Sequence, residues 1–159
     1  YVWFTNYGRN DMYHCQSSEI LEVKSEDMWN VRLRVMEPGA KNLSCFDTQV
    51  NITKKKGTER NVLSYKVGPR RSVQKRELIY VNENATCYIL RDLDVKTTEG
   101  QYECQLLMTQ FTAGLDIPSD CKKNYTCHCG NRMAGSFRFY CLKEADNATL
   151  CPTSPVPQC

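Results

Sequence analysis

The chain has 159 residues, enough for one full core with a small appendage, and ten cysteines, an even number suited to oxidised pairs outside the reducing cytosol. No run approaches 18 uninterrupted apolar residues, so the sequence holds no candidate membrane-spanning helix. The net charge of +3 hides an asymmetry: nine basic residues and one acid lie between Lys54 and Arg76.

Residues 1–28 open with YVWFTNYGRNDMYHC, where Trp3, Phe4, Tyr7 and Tyr13 stand among turn formers; they are expected as a segment packed on a body. From Asn30 the pattern changes. VRLRVMEPGAKNLSC alternates Val31, Leu33 and Val35, turns at Pro38-Gly39 and resumes with Leu43 and Cys45, as two half-buried strands would. NVLSYKV at 61–67 and RELIYV at 76–81 predict further strands about a Gly68-Pro69 turn. ATCYILRDL at 85–93 and TTEGQYECQLL at 97–107 supply the next two. No segment shows a sustained helical period, and short strands between turns predict an all-β domain over 29–117. Residues 118–159 differ: they carry six of the ten cysteines and end CPTSPVPQC. Too few large apolar residues are present there for a separate core, so a disulfide-rich, loop-dominated extension is expected.

Five Asn-X-Ser/Thr sequons, at Asn42, Asn51, Asn84, Asn124 and Asn147, exceed the one or two that chance would give. With the cysteines they predict a glycoprotein that is secreted or on the extracellular side of the cell surface. That compartment argues against nucleic acid as a partner despite the basic run.

Gly100-x-Tyr102-x-Cys104, with Cys45 upstream and Tyr88, Leu90 and Leu93 leading in, resembles the immunoglobulin superfamily over about residues 30–115. EPGAKNLSC looks like strand B, and YILRDLDVKTTEGQYEC like strand E, the E–F turn and strand F. No Trp stands on the strand after Cys45; Tyr65 or Leu63 occupies that neighbourhood. The resemblance implies an immunoglobulin-like β-sandwich stapled by Cys45–Cys104, with Tyr102 tying down a corner. Cys87, out of phase with Tyr88 and Leu90, would then face outward, toward Cys15 or one of Cys121, Cys127, Cys129, Cys141, Cys151 and Cys159. The run YTCHCGNRMAGSFRFYC partly resembles the C-terminal half of an epidermal-growth-factor-like module.

Little points to chemistry. Cys127-His128-Cys129 has poor spacing for zinc, the two histidines each adjoin a cysteine, and no phosphate loop is present. No enzyme activity, cofactor or metal is expected. The resemblance implies protein recognition: adhesion, receptor–ligand pairing or assembly with another immunoglobulin-superfamily or receptor ectodomain. Two alternatives stand beside it: a secreted viral or parasite immune modulator or decoy, and a protease inhibitor presenting Arg132 or Met133 between Cys129 and Cys141. Glycans at Asn42 and Asn84 would shield one sheet. The partner-binding candidates are therefore on the other: Tyr65, Lys66, Leu78, Tyr80, Gln105 and Leu107. Lys54, Lys55, Lys56 and Arg60 at one end, and Arg70, Arg71, Lys75 and Arg76 at the other, are candidates for a polyanion such as heparan sulfate.

Overall fold

The computed structural model describes residues 1–7, 13–57, 61–98 and 100–142, apart from the side chain of Trp3. The strands are β1 (Val2–Thr5), β2 (His14–Ser25), β3 (Met28–Met36), β4 (Ser44–Lys54), β5 (Asn61–Lys66), β6 (Val73–Val81), β7 (Cys87–Lys96), β8 (Tyr102–Met108) and β9 (Ala134–Gly135). One helix, α1 (Ser119–Cys129), lies between β8 and β9. The strands form a single antiparallel sheet in the order β2-β3-β4-β5-β6-β7-β8-β1-β9. From β2 to β8 each strand pairs with its sequence neighbour, an up-and-down meander.

The sheet curls until its two ends meet. Past β9, the Ser136 carbonyl accepts the backbone N–H of Cys15 on β2 at 3.1 Å, and the Ser136 hydroxyl donates to the Tyr13 carbonyl at 3.2 Å. A disulfide from Cys15 to Cys141 fixes the same seam.

Alternation decides which face is inside. On β3, Arg32 and Arg34 point outward and pair with Asp47 on β4 and Glu19 on β2. The other face of these strands buries Val31, Val50 and Tyr65, with Trp29, Leu33, Ile52 and Leu63 packed against them, although no helix covers it. It is the inner wall of the curl. α1 packs on the outer wall at the other side of the molecule, where Cys121, Tyr125 and Cys129 meet Cys87, Ile89, Cys104, Leu106 and Met108. Disulfides Cys87–Cys121 and Cys104–Cys129 pin the helix there.

These observations correct the sandwich expectation. Among the described residues there is one curled sheet, not two packed sheets. Cys104 is bonded to Cys129, so the Cys45–Cys104 staple does not exist; Cys45 is disulfide-bonded elsewhere. Tyr102 holds no corner. It is 39% exposed, and its ring lies under the side chains of Arg91 and Lys96. Cys87 does face away from Tyr88 and Leu90, toward α1. Residues 1–28 supply β1 and β2 of the sheet itself, and residues 118–142 supply α1 and β9, a helix and a strand where loops were expected. The segment with Arg132 and Met133 is held by β9 and by Cys129 and Cys141, each bonded back to the sheet. Cys151, Cys159, Asn147 and Arg60 lie outside the described residues.

Candidate functional site

Four inward positions line up across neighbouring strands. Leu63 on β5 opposes Arg76 on β6, and Arg76 opposes Asp92 on β7. Glu103 on β8 follows one position beyond the Arg91–Cys104 pair, which sets it beside Asp92. The next inward row runs Leu78, Leu90, Gln105 and Thr5. Tyr7, just past β1, reaches the same place: its hydroxyl accepts Gln105 Nε2 at 2.5 Å.

Arg76 is the hub. It is 9% exposed, and its guanidinium donates to the Tyr65 hydroxyl at 2.7 Å, Gln105 Oε1 at 2.9 Å and Gln74 Oε1 at 2.8 Å. Its Nε lies 3.7 Å from Asp92 Oδ2. Asp92 Oδ1 accepts the backbone N–H groups of Asp94 and Val95, both at 2.9 Å. Burial alone would draw a proton off Arg76; Tyr65, Tyr7 and Asp92 outweigh it, and the guanidinium ends above its ordinary pKa. Burial pushes the Tyr7 hydroxyl up as well.

Glu103 is different. Among the described residues its carboxylate makes no hydrogen bond and no ion pair. Burial pushes its carboxyl above the ordinary range, Asp92 pushes it further, and Arg76 opposes both. Like charges on adjacent strands repel, and the second carboxylate of this cluster has no cation of its own. The inward positions beside this cluster are apolar at Leu63, Leu78 and Leu90, and the wall continues across β5 and β4 to Ile52 and Val50. Such a site can hold a small molecule whose charged end replaces water at Glu103 and whose body lies on the aliphatic wall.

The residues expected to bind a partner do not share a surface. Tyr65, Leu78, Gln105 and Leu107 point inward by strand alternation. Lys66 is exposed at the end of β5, and Tyr80 lies on the outer wall, donating to Asp120 of α1 at 2.7 Å. A bulge between Leu78 and Tyr80 reverses their facing. Of the basic residues, Lys54, Lys56, Arg70, Arg71 and Lys75 are exposed. Lys55 is paired with the buried Glu77 at 3.2 Å. Arg76 is buried and cannot meet a polyanion. Asn42, Asn51 and Asn84 are exposed; Asn124 is half-buried on α1, its Nδ2 donating to the Asp120 carbonyl at 2.9 Å. Cys127 is exposed and free, and Cys129 is in a disulfide.

Sequence reasoning passed over Asp92, Glu103, Gln74 and Tyr7. The signal was present. In YILRDL the inward series Tyr88, Leu90 continues to Asp92, and in YECQ the series from Leu107 and Gln105 continues to Glu103. A charge on inward phase is costly unless something answers it.

The up-and-down meander curled around a lined interior, with a helix on its outer wall, is lipocalin-like. A search of curated proteins finds no match. A family model described as tick histamine binding protein matches residues 4–143.

Proposed function

The chain belongs to the tick histamine-binding protein family, and from that premise we propose that it is a secreted immune modulator of parasite origin that sequesters a small organic cation in the interior of its curled sheet. The observation that carries this reading is the set of charges on this inward row: among the described residues two carboxylates, Asp92 and Glu103, face one guanidinium, Arg76. One unit of negative charge is left over in a partly desolvated space. A ligand ammonium at Glu103 would neutralise it, and a flat heterocycle such as imidazole would rest between Tyr65 and the aliphatic wall. Binding without chemical change is the proposed activity. Disulfides and the sequons fit an extracellular setting, and among the described residues no helix is long and apolar enough to cross a membrane.

This replaces adhesion and receptor pairing, which rested on the sandwich. Nothing in the curled sheet supports an immunoglobulin-superfamily partner or heparan sulfate.

Calorimetric titration of the glycosylated protein with histamine at pH 7.4 tests the proposal. The expected result is one saturable site, with affinity reduced ten-fold or more in Glu103→Gln, the range for a charge-assisted hydrogen bond of roughly 1.5–3 kcal/mol. Absence of heat and of any ligand-induced rise in melting temperature would end the proposal.

A further inference from the structure

Arg76 sits inside the site without obvious need. A leucine would fill its place on the inner wall, as Leu63 does beside it. Instead a cation is fixed there, and nearly every oxygen around it is committed to it. Tyr65, Gln74 and Gln105 each turn an acceptor toward the guanidinium, and Asp92 faces it from the next strand. A ligand ammonium entering this space finds the three neutral acceptors hydrogen-bonded to the guanidinium and Asp92 Oδ2 held by the ion pair at 3.7 Å, without a hydrogen bond. Among the described residues the Glu103 carboxylate has neither an ion pair nor a hydrogen bond.

We propose that Arg76 is a specificity-determining residue: a resident cation that holds Asp92 for itself, leaves Glu103 as the carboxylate for the ligand, and so restricts the interior to molecules carrying one positive charge. The inference rests on the cation-binding reading above and deepens it. A second ammonium on the ligand would have to lie near a fixed guanidinium in a space of reduced dielectric, where repulsion is several-fold stronger than in water. Excluding a competitor by a built-in like charge is a general way to obtain specificity. Removing Arg76 frees Asp92 and the three neutral acceptors together, so a second ammonium gains a site as the repulsion disappears.

The experiment compares histamine, a monocation at pH 7.4, with 1,5-diaminopentane, a dication of similar length. Both are titrated into the wild-type protein and into Arg76→Gln. Wild type is expected to prefer histamine at least ten-fold. Arg76→Gln is expected to lose that preference or reverse it, with diamine affinity rising at least ten-fold. If Arg76→Gln does not fold, Asp92→Asn serves instead: Arg76 then has only Glu103 to face, and histamine affinity should fall at least ten-fold. Equal wild-type affinity for the two amines, an unchanged ratio in Arg76→Gln, or unchanged histamine affinity in Asp92→Asn overturns the role of Arg76 alone. Failure of folded wild type to bind either amine overturns this inference and the cation-binding reading together.

Discussion

Glu103 and Gly130 show how much a single position can carry. The Glu103 carboxyl is held above its ordinary pKa, by burial first and by Asp92 second. In the free protein the native state therefore binds this proton more tightly than the unfolded chain does. Stability attributable to Glu103 falls as pH rises from the unfolded to the folded pKa, and the penalty stays constant above that window. Glu103→Gln should accordingly melt at higher temperature than wild type at pH 7.5, with the gain shrinking toward pH 4. Melting curves across that range check it, and a gain that grows on acidification would refute it. Gly130 ends α1 at φ 81° and ψ −178°, a conformation that side-chain-bearing residues avoid. A Cβ there would also lie 2.6 Å from Gln101 Oε1. Gly130→Ala should cost roughly 1–3 kcal/mol in urea unfolding, since the neighbouring Cys129 is tied to Cys104 and the chain cannot shift aside.

At the scale of elements, α1 is held by more than its disulfides. Asn6, 1% exposed, donates from Nδ2 to the carbonyls of Tyr102 at 2.8 Å and Cys129 at 3.0 Å, and its Oδ1 accepts the Cys104 N–H at 2.7 Å. One side chain thus joins the end of β1, the start of β8 and the last turn of the helix. Asn6→Ala should cost roughly 3 kcal/mol, because buried backbone groups lose their partner with no water to replace it. Chemical denaturation measures the loss, and a value under half a kcal/mol, roughly the level of an ordinary surface change, would show that α1 does not depend on this latch. The strands were largely legible: the alternation of Val31, Leu33 and Val35, and the run from Cys87 to Leu93, lie in β3 and β7. The helix was not, because its buried stripe is Cys121, Tyr125 and Cys129, spaced four apart but without the aliphatic residues that usually mark a helical period. The architecture was misread for a related reason. Gly100, at φ 80°, followed by a strand with a buried Cys104, suits a hairpin in either a sandwich or a meander. Only the partner of Cys104 separates the two, and sequence does not give connectivity.

Across the whole molecule, the seam between β2 and the segment after β9 is closed, among the described residues, by few hydrogen bonds and one disulfide. Cys15 and Cys141 are 126 residues apart, against 34 for Cys87–Cys121 and 25 for Cys104–Cys129. Chain entropy assigns roughly 5 kcal/mol to the first bridge and roughly 3.5–4 to each of the others. Paired Cys→Ala variants should therefore rank in that order, with Cys15/Cys141 the most destabilising and the only one to raise proteolysis along β2; thermal melts and limited proteolysis read both. All six of these cysteines belong to the cluster on the outer wall, and none lies among the inward rows. That separation bears on heredity. Exchanges at Leu78, Leu90 or Leu107 alter what the interior will accept while leaving the cystine frame untouched, whereas Ile89 and Leu106, wholly buried beneath α1, have no such latitude. Gene copies built on this frame can drift apart in ligand preference and still fold alike.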